Sequence, residues 1–222
     1  MRLVGVVGTA TDVGKTWTTA QMITVLRAHS VRTVARKPVQ SFDPDDQSPT
    51  DAEVLAAVSG ESPSDVCPKH RWLPVPMAPP MATEKLGLDN IAIADLKAES
   101  LWPSNVQVGF VELVGGVRSP VTHDADSVQA LEAFAVDTVV LVASAELGTI
   151  DSVRLAIDAL QAFEVVVFLN RFDESNDLHQ RNLAWLRERD GVDAVTTIDD
   201  LADRLATKLG EVNNLGLGRS EL

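Results

Sequence analysis

The segment LVGVVGTATDVGKT, residues 3–16, decides the fold because it joins a short apolar run to a helical pattern through a loop of glycine, threonine and aspartate. Phosphate binding at such a junction needs consecutive backbone N–H groups at a helix N-terminus, a lysine for the phosphate charge and a hydroxyl for Mg²⁺. Gly14, Lys15 and Thr16 supply these groups in that order. The segment therefore predicts a strand, a phosphate-binding loop and a helix. The disfavoured alternative is a plain helix start capped by Thr16, with Lys15 on the surface.

The loop is one residue longer than the common pattern G-x-x-x-x-G-K-[ST], because five residues separate Gly8 from Gly14. One rival class is that of the switch ATPases that partition chromosomes and position division sites. Those proteins carry a signature lysine four residues before the last loop glycine, where this chain has Ala10. The loop therefore disfavours a nucleotide switch of that class.

The composition is that of an acidic globular protein. The 222 residues include 19 Lys and Arg against 32 Asp and Glu, a formal net charge of −13, and 45% of them are hydrophobic. A chain of this size buries about 70% of its surface on folding, which supports one core and a single domain over residues 1–222. Because duplex binding depends on clustered Lys and Arg, the charge predicts no nucleic-acid partner.

Nothing in the sequence predicts a membrane span or export. No apolar run approaches the ~18 residues that a spanning helix needs, and the N-terminal run is too short for a signal peptide. Cys67 is the single cysteine, so it forms no intramolecular disulfide and is interpreted as a plain loop thiol. We therefore expect a cytoplasmic protein that does not bind membranes.

Short apolar runs alternate with helical patterns along the chain. Strands that are apolar on both faces and alternate with helices require a parallel sheet that is covered on both sides. The sequence thus predicts an α/β fold, a single domain with a parallel sheet and helices on both faces. The predicted strands are Leu3–Val7, Val31–Ala35, Val106–Val111, Thr138–Ala143, Val165–Leu169 and Ala194–Thr197. The predicted helices are Thr16–Ala28, Asp51–Val58, Met81–Leu86, Ile91–Leu101, Asp126–Phe134, Ser152–Phe163, Leu178–Arg189 and Asp199–Leu209.

Three segments show no clear periodicity. Ser41–Thr50 is polar, and Pro63–Pro80 is rich in proline, so both are predicted to be irregular. The tail, about residues 211–222, is predicted to be disordered.

Polar residues follow several of the predicted strands, where an open parallel sheet binds its ligands. Lys37 could face the phosphates there, although its position alone favours a solvated strand-end lysine. Glu112 ends a buried strand and is assigned as a Mg²⁺ ligand, because Mg²⁺ prefers hard oxygen atoms. Asp51 is a second Mg²⁺ candidate, with a helix cap as its equal alternative. Asn170 could read a purine edge or serve as a turn residue.

Taken together, these residues resemble the dethiobiotin synthetases, which are ATP-dependent carboxylase-cyclases. The similarity in order and spacing extends over roughly residues 3–172. The motifs that carry it are Gly8-Thr9-x-Thr11-x-x-Gly14-Lys15-Thr16, Lys37-Pro38-Val39-Gln40-Ser41, Thr50-Asp51-Ala52, Met77-Ala78-Pro79, Glu112 with Gly115-Gly116, Leu147-Gly148-Thr149-Ile150, and Asn170.

The resemblance implies a P-loop NTPase-like fold, a homodimer and a reaction that uses ATP and Mg²⁺. The substrates would be ATP, CO₂ and 7,8-diaminononanoate, which is carboxylated to a carbamate, phosphorylated and closed to a ureido ring. Lys15 and Lys37 would be catalytic, stabilising the carbamate and the transferring γ-phosphoryl group.

The resemblance also assigns the other site residues. Mg²⁺ would bind to Thr16, Asp51 and Glu112. ATP would contact Asp12, Val13, Gly14, Lys15, Thr16 and Trp17, and Asn170 would read adenine. The diamine and its carbamate would lie near Thr11, Lys37, Ser41, Gly115, Gly148 and Asp151, with Asp12 also close to them.

Three departures from the family pattern affect the substrate half of the site. Leu113 and Val114 replace small residues that lie closest to the substrate, and Phe42 stands where a glycine usually follows. Asp151 replaces an asparagine that helps to hold the substrate's carboxylate across the dimer interface. Two alternatives therefore remain: a related ATP-dependent ligase that acts on another small amine or carboxylate, and a nucleotide switch like the partition and division-site ATPases.

Overall fold

Parallel strands form the central sheet of this protein, for which a computed structural model describes residues 1–208. The tail predicted to be disordered, about residues 211–222, lies outside the described residues. From edge to edge the sheet contains β2 (Thr33–Arg36), β5 (Val108–Gly116), β1 (Arg2–Gly8), β6 (Thr138–Ser144), β7 (Val165–Asn170) and β8 (Ala194–Val195). A second sheet pairs β3 (Gln40–Ser41) with β4 (Trp72–Leu73), also in parallel.

Helices cover both faces of the central sheet, as the alternating pattern predicted. Their bounds are α1 (Lys15–Ala28), α2 (Asp51–Ser59), α3 (Pro63–Val66), α4 (Pro79–Leu86), α5 (Ile93–Glu99), α6 (Ser127–Phe134), α7 (Thr149–Ala159), α8 (Asp177–Ala184) and α9 (Ile198–Lys208). Helices α1, α2 and α9 share one hydrophobic core with the sheet, and α6 and α7 share the other. The predicted α/β fold with a covered parallel sheet is confirmed.

Alternate residues of each strand enter the two cores. In β6, Val140 and Val142 lie in the core with α1, whereas Val139 and Leu141 lie in the core with α6. A strand buried on both faces reads as a continuous apolar run, which is why these strands were detectable. Within residues 1–208, no helix is both long and apolar enough to cross a bilayer.

The proline-rich segment is more regular than predicted. Between Pro63 and Pro80 the chain forms α3, a 3₁₀ turn at Lys69–Arg71, β4 and the start of α4. Helices α3 and α4 each have proline in the first turn. Proline is tolerated there because the N–H groups of the first turn make no hydrogen bond within the helix. Three of the six prolines in this segment, Pro63, Pro79 and Pro80, therefore start helices.

Several element ends differ from the prediction by a few residues, and two further differences concern the elements themselves. The chain resumes strand pairing at Gln40–Ser41, although we expected a loop to begin at Ser41, because β4 offers a parallel partner outside the main sheet. The predicted helix Leu178–Arg189 divides into α8 and a π-helical turn at Trp185–Arg189.

Candidate active site

An open cavity of about 690 Å³ lies where several strands of the central sheet end. The phosphate-binding loop after β1, Lys37 after β2 and the end of β5 contribute to its lining. Further lining comes from residues within the segments 40–51 and 76–79, from Ser119 and Pro120, and from Arg171, which follows β7. Motifs that are far apart in the sequence therefore share one cavity, because parallel strands end at the same edge of a sheet.

The phosphate-binding loop has a conformation that requires glycine at its last position. Gly14 has φ 97°, and a Cβ added there would lie 2.0 Å from Nδ2 of Asn170. Helix α1 begins at the next residue, Lys15, which is buried and donates from Nζ to the carbonyl oxygen of Ala10 at 3.2 Å. The loop thus opens α1 as the sequence predicted.

Lys37 holds two carboxylates together beside the start of α1. Its Nζ lies 2.6 Å from Oδ2 of Asp51 and 2.8 Å from Oε1 of Glu112. The hydroxyl of Thr16 lies 2.7 Å from Oδ1 of Asp51 and 2.6 Å from Oε1 of Glu112. Thr19 donates to the second oxygen of Glu112 at 2.7 Å. Residues predicted from four separate motifs, Thr16, Lys37, Asp51 and Glu112, therefore meet at one point.

Burial and charge move the pKa values of the two lysines in opposite directions. Burial, reinforced by the Lys37 ammonium, lowers the pKa of Lys15 to about 8. Burial opposes the charge on Lys37 as well, but Asp51 and Glu112 outweigh it and raise the pKa of Lys37 above its ordinary value. Burial likewise opposes the charge on Asp51, and Lys37 outweighs it, so the pKa of Asp51 is lowered. Lys37 and Asp51 are thus a charged pair at neutral pH.

The residues assigned to Mg²⁺ have the chemistry that this ion needs. Thr16, Asp51 and Glu112 present a hydroxyl and two carboxylates, which are hard oxygen donors. The Thr16 hydroxyl contacts one oxygen of Asp51 and one oxygen of Glu112, but it has only one proton to donate. One of these two carboxylate oxygens therefore faces the Thr16 oxygen with no proton between them. A cation among these oxygens would relieve that repulsion, and the donor set therefore fits Mg²⁺. Across residues 1–208, no group of three or more His, Cys, Asp and Glu side chains is placed to hold a metal, so water or substrate oxygens would complete the shell.

Most other predicted site residues also reach the cavity, namely Thr11, Asp12, Trp17, Ser41 and Gly115. The Trp17 ring is half exposed and stacks on Phe168 with ring centroids 6.4 Å apart.

Gly148 and Asp151 do not belong to this lining among the described residues. Gly148 is the left-handed N-cap of α7, and Asp151 lies exposed in the first turn of that helix. A single chain therefore leaves these two residues outside its own cavity.

Of the residues near the cavity that depart from the family pattern, two line the cavity and one is buried in the core. Phe42 and Val114 line the cavity, where their bulk reduces the space for a substrate. Leu113 does not, because its side chain is 1% exposed in the core beneath α6. Our expectation that Leu113 adjoins the substrate is therefore wrong, since neighbouring residues of a strand point to opposite faces.

Asn170 makes its contacts with the phosphate-binding loop. Its Nδ2 donates to the carbonyl oxygen of Val13 at 2.9 Å, and its Oδ1 accepts from the N–H of Arg171 at 2.9 Å. Its reading of adenine stays a prediction.

Gln40 is a site residue to which sequence reasoning gave no role. It is 2% exposed, lines the cavity, and accepts from the N–H of Ala52 at 3.0 Å, which secures the start of α2 beside Asp51. The available signals were its place in the motif Lys37-Pro38-Val39-Gln40-Ser41 and its polar side chain beside the apolar Val39.

Comparison with known proteins places the chain in a family. The sequence profile of a family described as an AAA domain matches residues 2–207. The ATP-dependent dethiobiotin synthetase BioD of Caulobacter vibrioides NA1000 is 34% identical over 168 residues, which cover 73% of this chain and 75% of that protein. The protein of the same name from Haloferax mediterranei is 32% identical over 197 residues, covering 86% and 81%. The chain belongs to the dethiobiotin synthetase family.

This membership confirms the resemblance that the sequence motifs predicted, and the relatives' names agree with the expectation of an ATP-dependent enzyme. Solved structures show that this dethiobiotin synthetase family member has the fold of P-loop NTPases. A plasmid partition protein (BB_S35) of Borrelia burgdorferi bound to AMPPNP has a TM-score of 0.52 at 12% identity, covering 95% of this chain and 97% of that chain. The signal recognition particle receptor FtsY of Elizabethkingia anophelis also gives a TM-score of 0.52, at 13% identity, covering 94% and 65%.

Proposed function

We propose that this chain catalyses the ATP- and Mg²⁺-dependent carboxylation and ring closure of 7,8-diaminononanoate to dethiobiotin, a step of biotin biosynthesis. The observation that carries the proposal is that Lys15, Lys37, Thr16 and Asp51 line one cavity in a member of the dethiobiotin synthetase family. The buried Glu112 contacts Thr16 and Lys37 directly behind that lining.

The proposed reaction has three steps. One amine of the substrate attacks CO₂ and loses a proton, which gives a carbamate. A carbamate oxygen then attacks the γ-phosphorus of ATP, forming a carbamic–phosphoric anhydride and releasing ADP. The second amine attacks the carbonyl carbon and loses a proton, the bond to the phosphate oxygen breaks, and phosphate leaves as the ring closes.

The two lysines suit the phosphoryl transfer, which asks for positioning and charge neutralisation rather than covalent chemistry by the protein. Lys15 starts α1 at the phosphate-binding loop, where it would neutralise the polyphosphate. Lys37 is kept charged by Asp51 and Glu112, so it can stabilise the carbamate and the transferring group.

Thr16, Asp51 and Glu112 would hold Mg²⁺, which neutralises charge on the β- and γ-phosphates when it is bound. Thr19 fixes the orientation of Glu112 through its second oxygen. Outer hydrogen bonds of this kind orient metal-ligating carboxylates.

A homodimer would complete the substrate site. The resemblance assigns Gly148 and Asp151 to the substrate's carboxylate, yet neither lines the cavity of its own chain. A second copy could bring the start of its α7 to the cavity, which is our reason for proposing a dimer.

A related ligase for another small amine or carboxylate is the second candidate. Phe42 and Val114 line the cavity where the family pattern has small residues, and Asp151 places a negative charge where the family holds an acid. These departures leave the phosphate side of the cavity unchanged, so they would alter the substrate rather than the use of ATP.

The test is ADP release measured with and without 7,8-diaminononanoate plus bicarbonate, with the product identified by mass. We expect release that depends on both additions and a product with the mass of dethiobiotin. Release that depends on a different small amine or on a carboxylate supports the second candidate. Release that no amine and no carboxylate stimulates contradicts both candidates and favours a nucleotide switch.

A further inference from the structure

Four carbonyl groups of the phosphate-binding loop accept hydrogen bonds from side chains. Thr18 donates to the carbonyl oxygen of Gly14, and Lys15 donates to that of Ala10. The carbonyl groups of Val13 and Asp12 are bound from outside the loop, by the two consecutive residues that end and follow β7.

These two contacts determine where the loop's N–H groups point. Nδ2 of Asn170 lies 2.9 Å from the oxygen of Val13, and Nη2 of Arg171 lies 3.1 Å from the oxygen of Asp12. A trans peptide is planar, so the N–H that follows a carbonyl points in the opposite direction. Because Asn170 and Arg171 hold the carbonyl groups of Val13 and Asp12 toward themselves, the N–H groups of Val13 and Gly14 point away from these two side chains. Neither N–H donates to a protein acceptor within residues 1–208, and successive free N–H groups of this kind form an anion-binding nest.

Arg171 is held in a backbone conformation that arginine rarely adopts. Its φ is 58°, in the left-handed region, and its N–H is bound by the side chain of Asn170. Such strained residues gather at functional sites, where the surrounding contacts keep them in place. Glycine would adopt this backbone without strain, so an arginine here points to a use for the side chain.

Arg171, like Lys15, is a cation of the cavity lining that belongs to no ion pair within residues 1–208, whereas Lys37 is paired. The partners of Lys37 are Asp51 and Glu112. Arg171 is also exposed, and its guanidinium adds an unneutralised positive charge beside the nest.

We propose that Asn170 and Arg171 clamp the phosphate-binding loop, and that Arg171 is a positioning residue for the polyphosphate of the bound nucleotide. The clamp holds the N–H groups of the loop ready for phosphate, and the guanidinium adds positive charge where the anion binds. This inference rests on the proposed use of ATP, but it does not depend on which amine the enzyme carboxylates.

The experiment compares three variants with the wild type in direct binding assays. Arg171→Gly removes the guanidinium while easing the left-handed backbone, and Arg171→Lys keeps a charge and a donor. Arg181→Gln is the control, because it removes one positive charge from an exposed residue of α8 that pairs only with Asp177. The ligands are MgATP, inorganic tripolyphosphate and adenosine, and thermal melting of each variant checks its folding.

We expect Arg171→Gly to melt no lower than the wild type and to weaken MgATP binding about tenfold, the worth of a charge-assisted hydrogen bond. Arg171→Gly should bind tripolyphosphate more weakly by a similar factor and should bind adenosine as the wild type does. Arg171→Lys should recover part of the lost MgATP affinity, and Arg181→Gln should bind all three ligands like the wild type.

Unchanged MgATP binding by Arg171→Gly would overturn the clamp, as would a loss seen with adenosine but not with tripolyphosphate. A loss of the same size in Arg181→Gln would also overturn it, because distant charge alone would then account for the effect. A wild type that binds no MgATP instead contradicts the proposed function itself.

Discussion

Lys37 and Glu112 form an ion pair that is buried on both sides, with 2.8 Å between Nζ and Oε1 and side-chain exposures of 3% and 0%. Lys37 follows β2, and Glu112 lies in β5, the neighbouring strand of the sheet. Breaking a buried pair leaves one charge unpaired, which destabilises a protein by about 3–5 kcal/mol. The pair is therefore part of the fold as well as of the candidate site.

Replacing either lysine should remove most of the activity. Lys15→Ala and Lys37→Ala are each expected to lower kcat/KM about 100-fold or more, because each removes a positioned charge from the transferring phosphoryl group. Steady-state ADP release measures this. Near-normal turnover in Lys37→Ala would show that Lys37 serves the fold alone.

A double variant isolates the structural role of Lys37. Lys37→Ala should melt well below the wild type because the buried Glu112 loses its partner, and Lys37→Ala/Glu112→Gln should regain stability. Its activity should stay low, because it lacks both Lys37 and a proposed Mg²⁺ ligand. Recovered activity in the double variant would contradict a catalytic role for Lys37.

The Mg²⁺ requirement should respond to the two carboxylates that contact Thr16. Asp51→Asn and Glu112→Gln each remove a negative oxygen ligand, so each should raise the Mg²⁺ concentration needed for half-maximal activity. Asp43→Asn is the matched control, because Asp43 lines the same cavity without contacting Thr16 or Lys37. If the Mg²⁺ titration is unchanged in both variants, these carboxylates are structural.

Asp151 should weaken the binding of an acid substrate if a second chain presents it to the site. A solvated pair of like charges at close range repels by about 1 kcal/mol, so Asp151→Asn should lower KM for diaminononanoate about fivefold and leave kcat nearly unchanged. Two arginines that could otherwise neutralise the substrate's carboxylate are engaged elsewhere, since Arg154 binds Asp190 and Arg118 binds Asp126.

Kinetics on Asp151→Asn have a control on the same helix, the exposed Asp158→Asn. An unchanged KM would place Asp151 away from the carboxylate. A KM that rises would indicate an amine at that end of the substrate and would exclude the biotin assignment.

Cys67 should resist thiol reagents in the folded protein. Burial raises the pKa of its thiol to about 12 from 9.0, and the side chain is 0% exposed. Only the thiolate reacts, and at pH 8 this shift lowers the thiolate fraction about a thousandfold. We expect a chromogenic disulfide to label the native protein far more slowly than the protein in denaturant, and not to label Cys67→Ala at all. Fast labelling of the native protein would place Cys67 at an accessible surface.

Local sequence patterns predicted most of the helices and strands, and they predicted the phosphate-binding side of the candidate site. Apolar runs fit strands that are buried on both faces, and the order Gly14, Lys15, Thr16 predicted the phosphate-binding loop where it lies. Prolines misled the prediction between residues 63 and 80, because a proline at a helix start and a proline that breaks structure look alike without the capping contact of Ser62.

The sequence by itself determined the α/β class, the phosphate-binding loop and the family, because these depend on residue order and on periodicity within short windows. Only the tertiary structure decided the strand order and the partners of the polar residues, because these depend on contacts between distant parts of the chain. It paired Lys37 with Asp51 and Glu112, and it turned Leu113 into the core. It also joined Arg171 to a loop 159 residues earlier, a contact that no local pattern encodes.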